Sequence, residues 1–582
     1  MKDERRVGWS AGLAAAVFLV ALIPRFVPPS PFLTWDEPTW TYRSLRFARA
    51  LEAGRLEETL QSAHPGVITM WAGAAAIQAH RALAGAPADA WRAPGAPPSL
   101  AATRADLAWV DDLPPFDEDD VPLLRSILPW LNPARAAVAV LSAGLVALGA
   151  VLAARLFGAR VGWLAGALLA LDPYLLAHSR VLHLDALLGL LVLTSGLATM
   201  IAGERLAAGD PRRARRWLVA AGALGGLAFL EKSPGILAAA FALLVLASSA
   251  LPVARAGRWG DAARGMALWL GGAAAAYAAA WPALWAAPVA TVARMAAYAA
   301  DAAGGAREAV FFAGDVRPDP GAAFYLVAVA LRLTPATLLG ALAGAVVAWR
   351  GRRVRPSAAL LLALSLMVVV IMGASAKKFE RYALPAVPPL DVLAAVGLAA
   401  AIGWLGRRGV ALEGAAGGSL SSTRQAGPRT GRWPLAFGDR TRRALAGGLV
   451  LAALGAHALP LAGHPHELAA YNSLLGGTRT ARTVLPVGWG EGTEQAVAWL
   501  NAQPDAATLT VATPSMALIG PGFAGTTIGA RRWEEADLVV LYVDDVQIRE
   551  PRGIVEAFEG RPPVHQVDLG GVPFVWIYRV AR

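Results

Sequence analysis

The chain has 582 residues, of which 56% are hydrophobic and 16% charged, with a formal net charge of +11 and no cysteine. A soluble globular protein carries about a quarter charged residues, which excludes an ordinary soluble fold. The lack of cysteine excludes disulfides, thiolate nucleophiles and Cys-based zinc or iron–sulfur centres. The positive charge sits largely on arginines in short connections, as in membrane loops, so no nucleic-acid partner is expected.

The apolar residues fall in blocks of about 20, the length that crosses a bilayer as a helix. The first, residues 9–27, follows Lys2, Arg5 and Arg6 and runs out through Pro24, Pro28, Pro29 and Pro31. It has no small-residue cleavage site after it and reads as a retained span. Ten more blocks lie near 133–155, 161–178, 183–203, 217–231, 234–254, 264–283, 321–349, 357–375, 385–405 and 444–463. The connections holding Arg155 and Arg160, Arg205 with Arg212–Arg216, Arg255–Arg264, Arg350–Arg355, and the segment 406–443 all fall on one side if the N-terminus is cytoplasmic and there are eleven spans. The stretch Val67–Ile77 is too short to span and would reverse every later arginine cluster, so it is expected to lie on the external surface. Residues 34–132 then form one external loop with an acidic run through Asp111, Asp112, Asp117, Glu118, Asp119 and Asp120.

The tail, 464–582, is polar and holds strand-like runs at Thr508–Ala512, Leu538–Val543, Val564–Leu569 and Phe574–Val580, with helical stretches such as Gly492–Asn501 and Gly553–Phe558. The pattern predicts a small external α/β domain. Residues 411–432, rich in Gly, Ser, Thr and Arg, read as a cytoplasmic linker. The expected fold class is a polytopic α-helical membrane protein with about eleven transmembrane helices in residues 1–463. It is multi-pass in the plasma membrane, with the 464–582 domain extracytoplasmic.

Charged residues near a membrane are costly and often functional. With this topology they collect on the external face: Asp36 and Glu37; His64; Arg180, His183 and Asp185; Glu231 and Lys232; and Lys377, Lys378, Glu380, Arg381 and Tyr382. Lys and Arg suit a lipid-phosphate leaving group, and a carboxylate opposite can take a proton from an acceptor hydroxyl. Taken singly each has a plainer reading. Asp36 and Glu37 can cap the helix after Pro38, Arg180 and Asp185 can pair, the lysines can snorkel, and His64 before Pro65 can be a turn residue. Gly488–Gly492 superficially suggests a nucleotide loop, but no strand–loop–helix unit with a later acid accompanies it.

Five segments, in order, resemble the protein O-mannosyltransferases and related bacterial membrane glycosyltransferases of the GT-C fold (family 39-like, with the aminoarabinose transferases). They are Thr34–Pro38 with Tyr42, His64–Val67, Ser179–Asp185, Glu231–Gly235 and Lys377–Pro385. The resemblance implies a polyprenyl-phosphate sugar donor, a protein or glycolipid acceptor, and inverting single-displacement transfer with no cofactor and no strict need of a metal. It implies Asp36 as base with Glu37 beside it holding the acceptor. Lys377, Lys378, Arg381 and Lys232 are then candidates for the donor phosphate, and His64, Arg180, Asp185 and Tyr382 further site candidates. Gly66 stands where that family has a second Pro, and no β-trefoil module follows. The competing readings are a transporter or flippase of a lipid-linked substrate, which would place charges at the midplane, and a non-catalytic assembly protein.

Overall fold

Among the described residues, every apolar block folds mainly as helix. The computed structural model describes residues 2–62, 65–84, 116–250, 259–304, 309–350, 355–375, 377–407 and 439–581. Its principal helices are α1 (Lys2–Phe26), α2 (Glu37–Glu52), α3 (Val67–Ala84), α4 (Leu131–Phe157), α5 (Ala159–Leu171), α6 (Asp185–Ala207), α7 (Pro211–Glu231), α8 (Leu237–Ala250), α9 (Trp259–Ala280), α10 (Ala323–Arg332), α11 (Pro335–Arg350), α12 (Arg355–Gly373), α13 (Val387–Arg407) and α14 (Asp439–Ala458). Among the described residues, five helical stretches are long and apolar enough to cross a membrane: 118–157, 185–207, 356–373, 380–405 and 443–463. A sixth arises if α10 and α11 count as one span, and shorter apolar helices cover 10–26, 159–171 and 233–249. The protein is thus a mostly helical, multi-pass membrane protein.

The centre of the bundle is α6, whose residues 185–203 are all buried. A helix apolar on every side is a core helix, and α4, α7 and α8 pack around this one. The surface helix expected at Val67–Ile77 extends to Ala84. It buries Val67, Met70, Gly73, Ala74 and Ile77 against α2 and α4. Gly66, just before it, has φ +63°, and a Cβ there would come within 2.3 Å of the Trp40 ring. Proline is locked near φ −65°, so this chain's departure from the family pattern at that position is built into its packing.

Two blocks are broken where a single helix was expected. The 321–349 block bends by 115° between α10 and α11. Leu333 is extended there, and Thr334 Oγ1 caps the new helix by accepting from Thr337 N at 3.1 Å. The 161–178 block breaks at Asp172, which accepts from Leu175 N at 2.8 Å and starts the short helix Pro173–His178. The linker 411–432, with Asp111 and Asp112 of the acidic run, lies outside the described residues, while Asp117 N-caps the short turn Glu118–Asp120.

The tail carries a five-stranded sheet of order β4-β3-β5-β7-β6, formed by β3 (Thr510–Thr513), β4 (Thr526–Gly529), β5 (Leu538–Tyr542), β6 (His565–Leu569) and β7 (Val572–Arg579). β3 pairs in parallel with β4 and β5, while β7 runs antiparallel to β5 and β6. The four strand-like runs expected from the sequence are β3, β5, β6 and β7. The sequence reading missed β4 and a hairpin between β1 (Val310–Phe312) and β2 (Asp315–Arg317), each too short to show a clear alternation.

Candidate active site

One end of the bundle gathers charged side chains from four separate segments, joined by Trp489 from a fifth. Asp36 is the N-cap residue of α2 by position, but its side chain makes no capping hydrogen bond. Instead its Oδ2 accepts from the indole Nε1 of Trp489 at 2.9 Å. It faces Arg381 Nη2 at 3.4 Å and His183 Nε2 at 3.8 Å. Asp185, the first residue of α6, receives Lys232 Nζ at 2.6 Å, with His183 Nδ1 at 3.3 Å and Arg381 Nε at 3.7 Å. His183 and Arg381 therefore bridge two carboxylates. Arg381 also lies over the rings of Phe379 and Trp489, 4.5 Å and 5.2 Å from their centroids, and Lys232 Nζ lies 4.2 Å from that of Tyr382.

Burial pushes the Asp36 carboxyl up, but Arg381, His183, Lys232 and the Trp489 N–H together outweigh it and hold the group below its ordinary value. It stays an anion at neutral pH. The Asp36 side chain is 31% exposed, so it remains reachable. It opens into a cavity of about 510 Å³ lined also by His178, Arg332, Lys378, Arg381, Trp489, Glu491 and Asp544. Burial raises Asp544 to about 6, against the opposing pull of Arg381.

The sequence-predicted residues divide in two. Asp36, Lys378 and Arg381 line the cavity, while His183, Asp185, Lys232 and Tyr382 touch the groups around it. Lys378 Nζ is already 3.1 Å from Asp319 Oδ1, and Lys377 is half-buried. Glu37 is not part of the cavity wall. Fully buried, it takes a bidentate grip from Arg135 (both contacts 2.6 Å) and accepts from the N–H groups of Thr34 and Leu182. Arg180 does not pair with Asp185; its partner is Glu467, at 3.0 Å. Glu231 accepts from the Thr69 N–H and hydroxyl at the start of α3. His64 lies outside the described residues.

Three contributors escaped the sequence reading. Trp489 and Asp544 come from the tail, and nothing local to them signals the contact. Gly490 explains how the tail reaches in: at φ +118°, it packs so closely that a Cβ would fall 1.8 Å from the Leu33 carbonyl oxygen. Arg332 grips Glu380 and bonds Tyr471 Oη at 2.7 Å. It was visible as an arginine inside an apolar block, a recognised functional signal.

His178, His183 and Asp185 bring potential metal ligand atoms within 4.8 Å of one another. Asp185 is already neutralised by Lys232 and Arg381, so a cation there meets positive charge.

Several solved structures resemble the chain at low identity. ArnT from Cupriavidus metallidurans bound to undecaprenyl phosphate shares 16% identity over 98% of both chains, with a TM-score of 0.46. The same protein in the apo state gives 15% and 0.47. The archaeal oligosaccharyltransferase AglB from Archaeoglobus fulgidus, in complex with an inhibitory peptide and a dolichol-phosphate, gives 14% and 0.45 over 95% of this chain and 72% of its own. No curated protein sequence matches this one. Residues 130–285, from α4 to just past α9, match the model of the dolichyl-phosphate-mannose-protein mannosyltransferases. Over those residues the chain is similar to that family, which is named for its lipid-phosphate sugar donor.

Proposed function

We propose that this protein transfers a sugar from a polyprenyl-phosphate donor to an acceptor hydroxyl, by single displacement with inversion. The observation that carries the reading is Asp36. It is an anion held by Arg381, His183 and Trp489 on one oxygen, Oδ2, at the wall of a cavity lined by further cations. Among the described residues no hydrogen-bond partner is found for Oδ1, which leaves it for the acceptor hydroxyl. That oxygen takes the hydroxyl proton as the acceptor oxygen attacks the sugar C1. The C1–phosphate bond breaks, and the electron pair leaves on the lipid phosphate.

Arg381 is the best-placed phosphate contact. Its side chain is 20% exposed, against 9% for Lys232, 4% for Arg332 and 3% for Lys378. A guanidinium holding phosphate oxygens stabilises charge as it develops on the leaving group. Lys232 and Lys378 reinforce the positive field from behind. Glu37 serves the site by fixing the loop that carries Asp36 rather than by touching the acceptor.

The proposal includes the topology: eleven crossings, a cytoplasmic N-terminus, residues 1–463 as the membrane domain and 464–582 as an extracytoplasmic domain. The alternation of arginine-rich connections with the segments that carry the site residues supports it. The deciding experiment is Asp36→Asn in membranes supplied with polyprenyl-phosphate sugars. Transfer should vanish while expression and detergent-extracted size are unchanged; full activity would remove Asp36 as base.

A further inference from the structure

A second cluster of ionisable groups lies inside the bundle, apart from the cavity that holds Asp36. Asp172 stands between α5 and the helix Pro173–His178, Asp391 on α13 and His457 on α14. One potential ligand atom from each lies within 4.8 Å of the other two, and all three side chains are fully buried. Asp391 Oδ1 accepts from Thr337 Oγ1 at 2.6 Å, and Asp172 Oδ1 from the Leu175 N–H. The other oxygen of each carboxylate, Oδ2, is buried without a hydrogen-bond partner. The His457 ring is held by two hydroxyls, with Thr334 Oγ1 3.0 Å from Nδ1 and Thr337 Oγ1 3.3 Å from Nε2.

Two carboxylates with open oxygens in a low-dielectric bundle are costly unless a positive charge joins them. The nearby cation does not do so. Arg25 on α1 is within electrostatic reach of Asp172, but it donates to the carbonyls of Ala21 and Ala170 at 2.7 Å and 2.9 Å. It bonds to neither carboxylate.

We propose that Asp172, Asp391 and His457 bind a transition-series divalent cation that clamps α14 to α13 and to the end of α5. One imidazole and two carboxylates form a three-ligand set of the kind zinc accepts, with a fourth position left for water or the Thr337 hydroxyl. The imidazole argues against calcium and magnesium, which take oxygen ligands. The donor atoms must close by roughly an ångström to reach zinc's bond lengths of about 2 Å, a shift the two hydroxyl-held side chains can make. A cavity adjoins the cluster. A cavity of about 850 Å³ is lined by Pro173, Thr334 and Ala456, which adjoin Asp172 and His457 in sequence or by hydrogen bond. The group at His178, His183 and Asp185 is the weaker competitor, because Lys232 and Arg381 already neutralise its carboxylate. Through α14 the clamp also fixes where the sheet-bearing tail is seated.

The test is metal content in the full-length protein, purified without chelator and dialysed against zinc. About one zinc per chain is expected in the wild type, with a melting temperature that falls on chelation and recovers on adding zinc back. His457→Ala and Asp391→Asn should reduce bound zinc to background, while His183→Ala retains it. Should those variants not fold, the chelation and zinc re-addition cycle on the wild type still decides. Background zinc in the wild type, with a melting temperature indifferent to chelator, overturns the proposal and leaves the two carboxylates sharing a proton. Zinc that survives His457→Ala but is lost in His183→Ala overturns it equally.

Discussion

Among the described residues, the indole of Trp489 is the one neutral hydrogen-bond donor to the Asp36 carboxylate, and Trp489→Phe removes it while keeping a ring against Arg381. A hydrogen bond to a charged group contributes about 1.5–3 kcal/mol. Trp489→Phe should therefore lower kcat by roughly 10- to 100-fold with KM for the donor little changed; an unaltered kcat would deny the indole a part in orienting the base. Arg135 offers a stability test. Its guanidinium and Glu37 are both buried, and stripping one partner from such a pair costs about 3–5 kcal/mol because the other charge stays buried. Arg135→Ala should lower the melting temperature sharply in detergent, and adding Glu37→Gln, which removes the stranded charge, should restore part of it. Two nearby acids respond oppositely to pH. Asp36, depressed, contributes stability that is present above its unfolded value and lost as pH falls through the folded one. Asp544, raised to about 6, is neutral below that value and gains a negative charge in the cavity as pH rises through it. Donor-phosphate affinity should weaken across that rise, and Asp544→Asn should flatten the profile; an inflection that persists in the variant belongs to another group.

At the scale of elements, helices were legible because about 20 consecutive apolar residues have few other fates. The breaks were not, because a block reads as continuous until a cap interrupts it. Thr334 before Pro335, and Asp172 before Pro173, carry ordinary capping signals that hydropathy averages away. The apolar runs of β3, β5 and β7 and the alternation of β6 were also visible, and the four-residue β4 was not. The candidate site was half legible. Charged residues at the ends of apolar blocks stand out in a sequence, so Asp36, Asp185, Lys232 and Arg381 were found. What each one touches depends on packing, so the sequence does not show that Glu37 pairs with Arg135 and Arg180 with Glu467, or that the Gly488–Gly492 loop reaches Asp36. That loop has its own test. At Gly490 a methyl group has no room beside Leu33, so Gly490→Ala should lift Trp489 off Asp36. Activity should fall at least as far as in Trp489→Phe, and amide exchange around 484–493 should quicken while the helices stay protected. Unchanged exchange there would show that the loop tolerates the side chain.

For the whole molecule, the orientation can be tested on a clean background, since the chain has no cysteine. Cysteines introduced singly at Glu559, in the tail, and Arg213, in an arginine-rich connection, occupy well-exposed positions. A membrane-impermeant maleimide on intact cells should label the first and reach the second only after permeabilisation; the reverse pattern would invert the proposed topology.

The hydrogen bond between Trp489 and Asp36 spans 453 positions of the chain. During synthesis, the carboxylate enters the membrane with the first helix, and its indole partner emerges only after the last. A polypeptide released early by a stalled ribosome can thus insert every helix of the bundle and still lack a finished base. On the proposed reading, a product that ends before Trp489 should transfer sugar at least as poorly as Trp489→Phe.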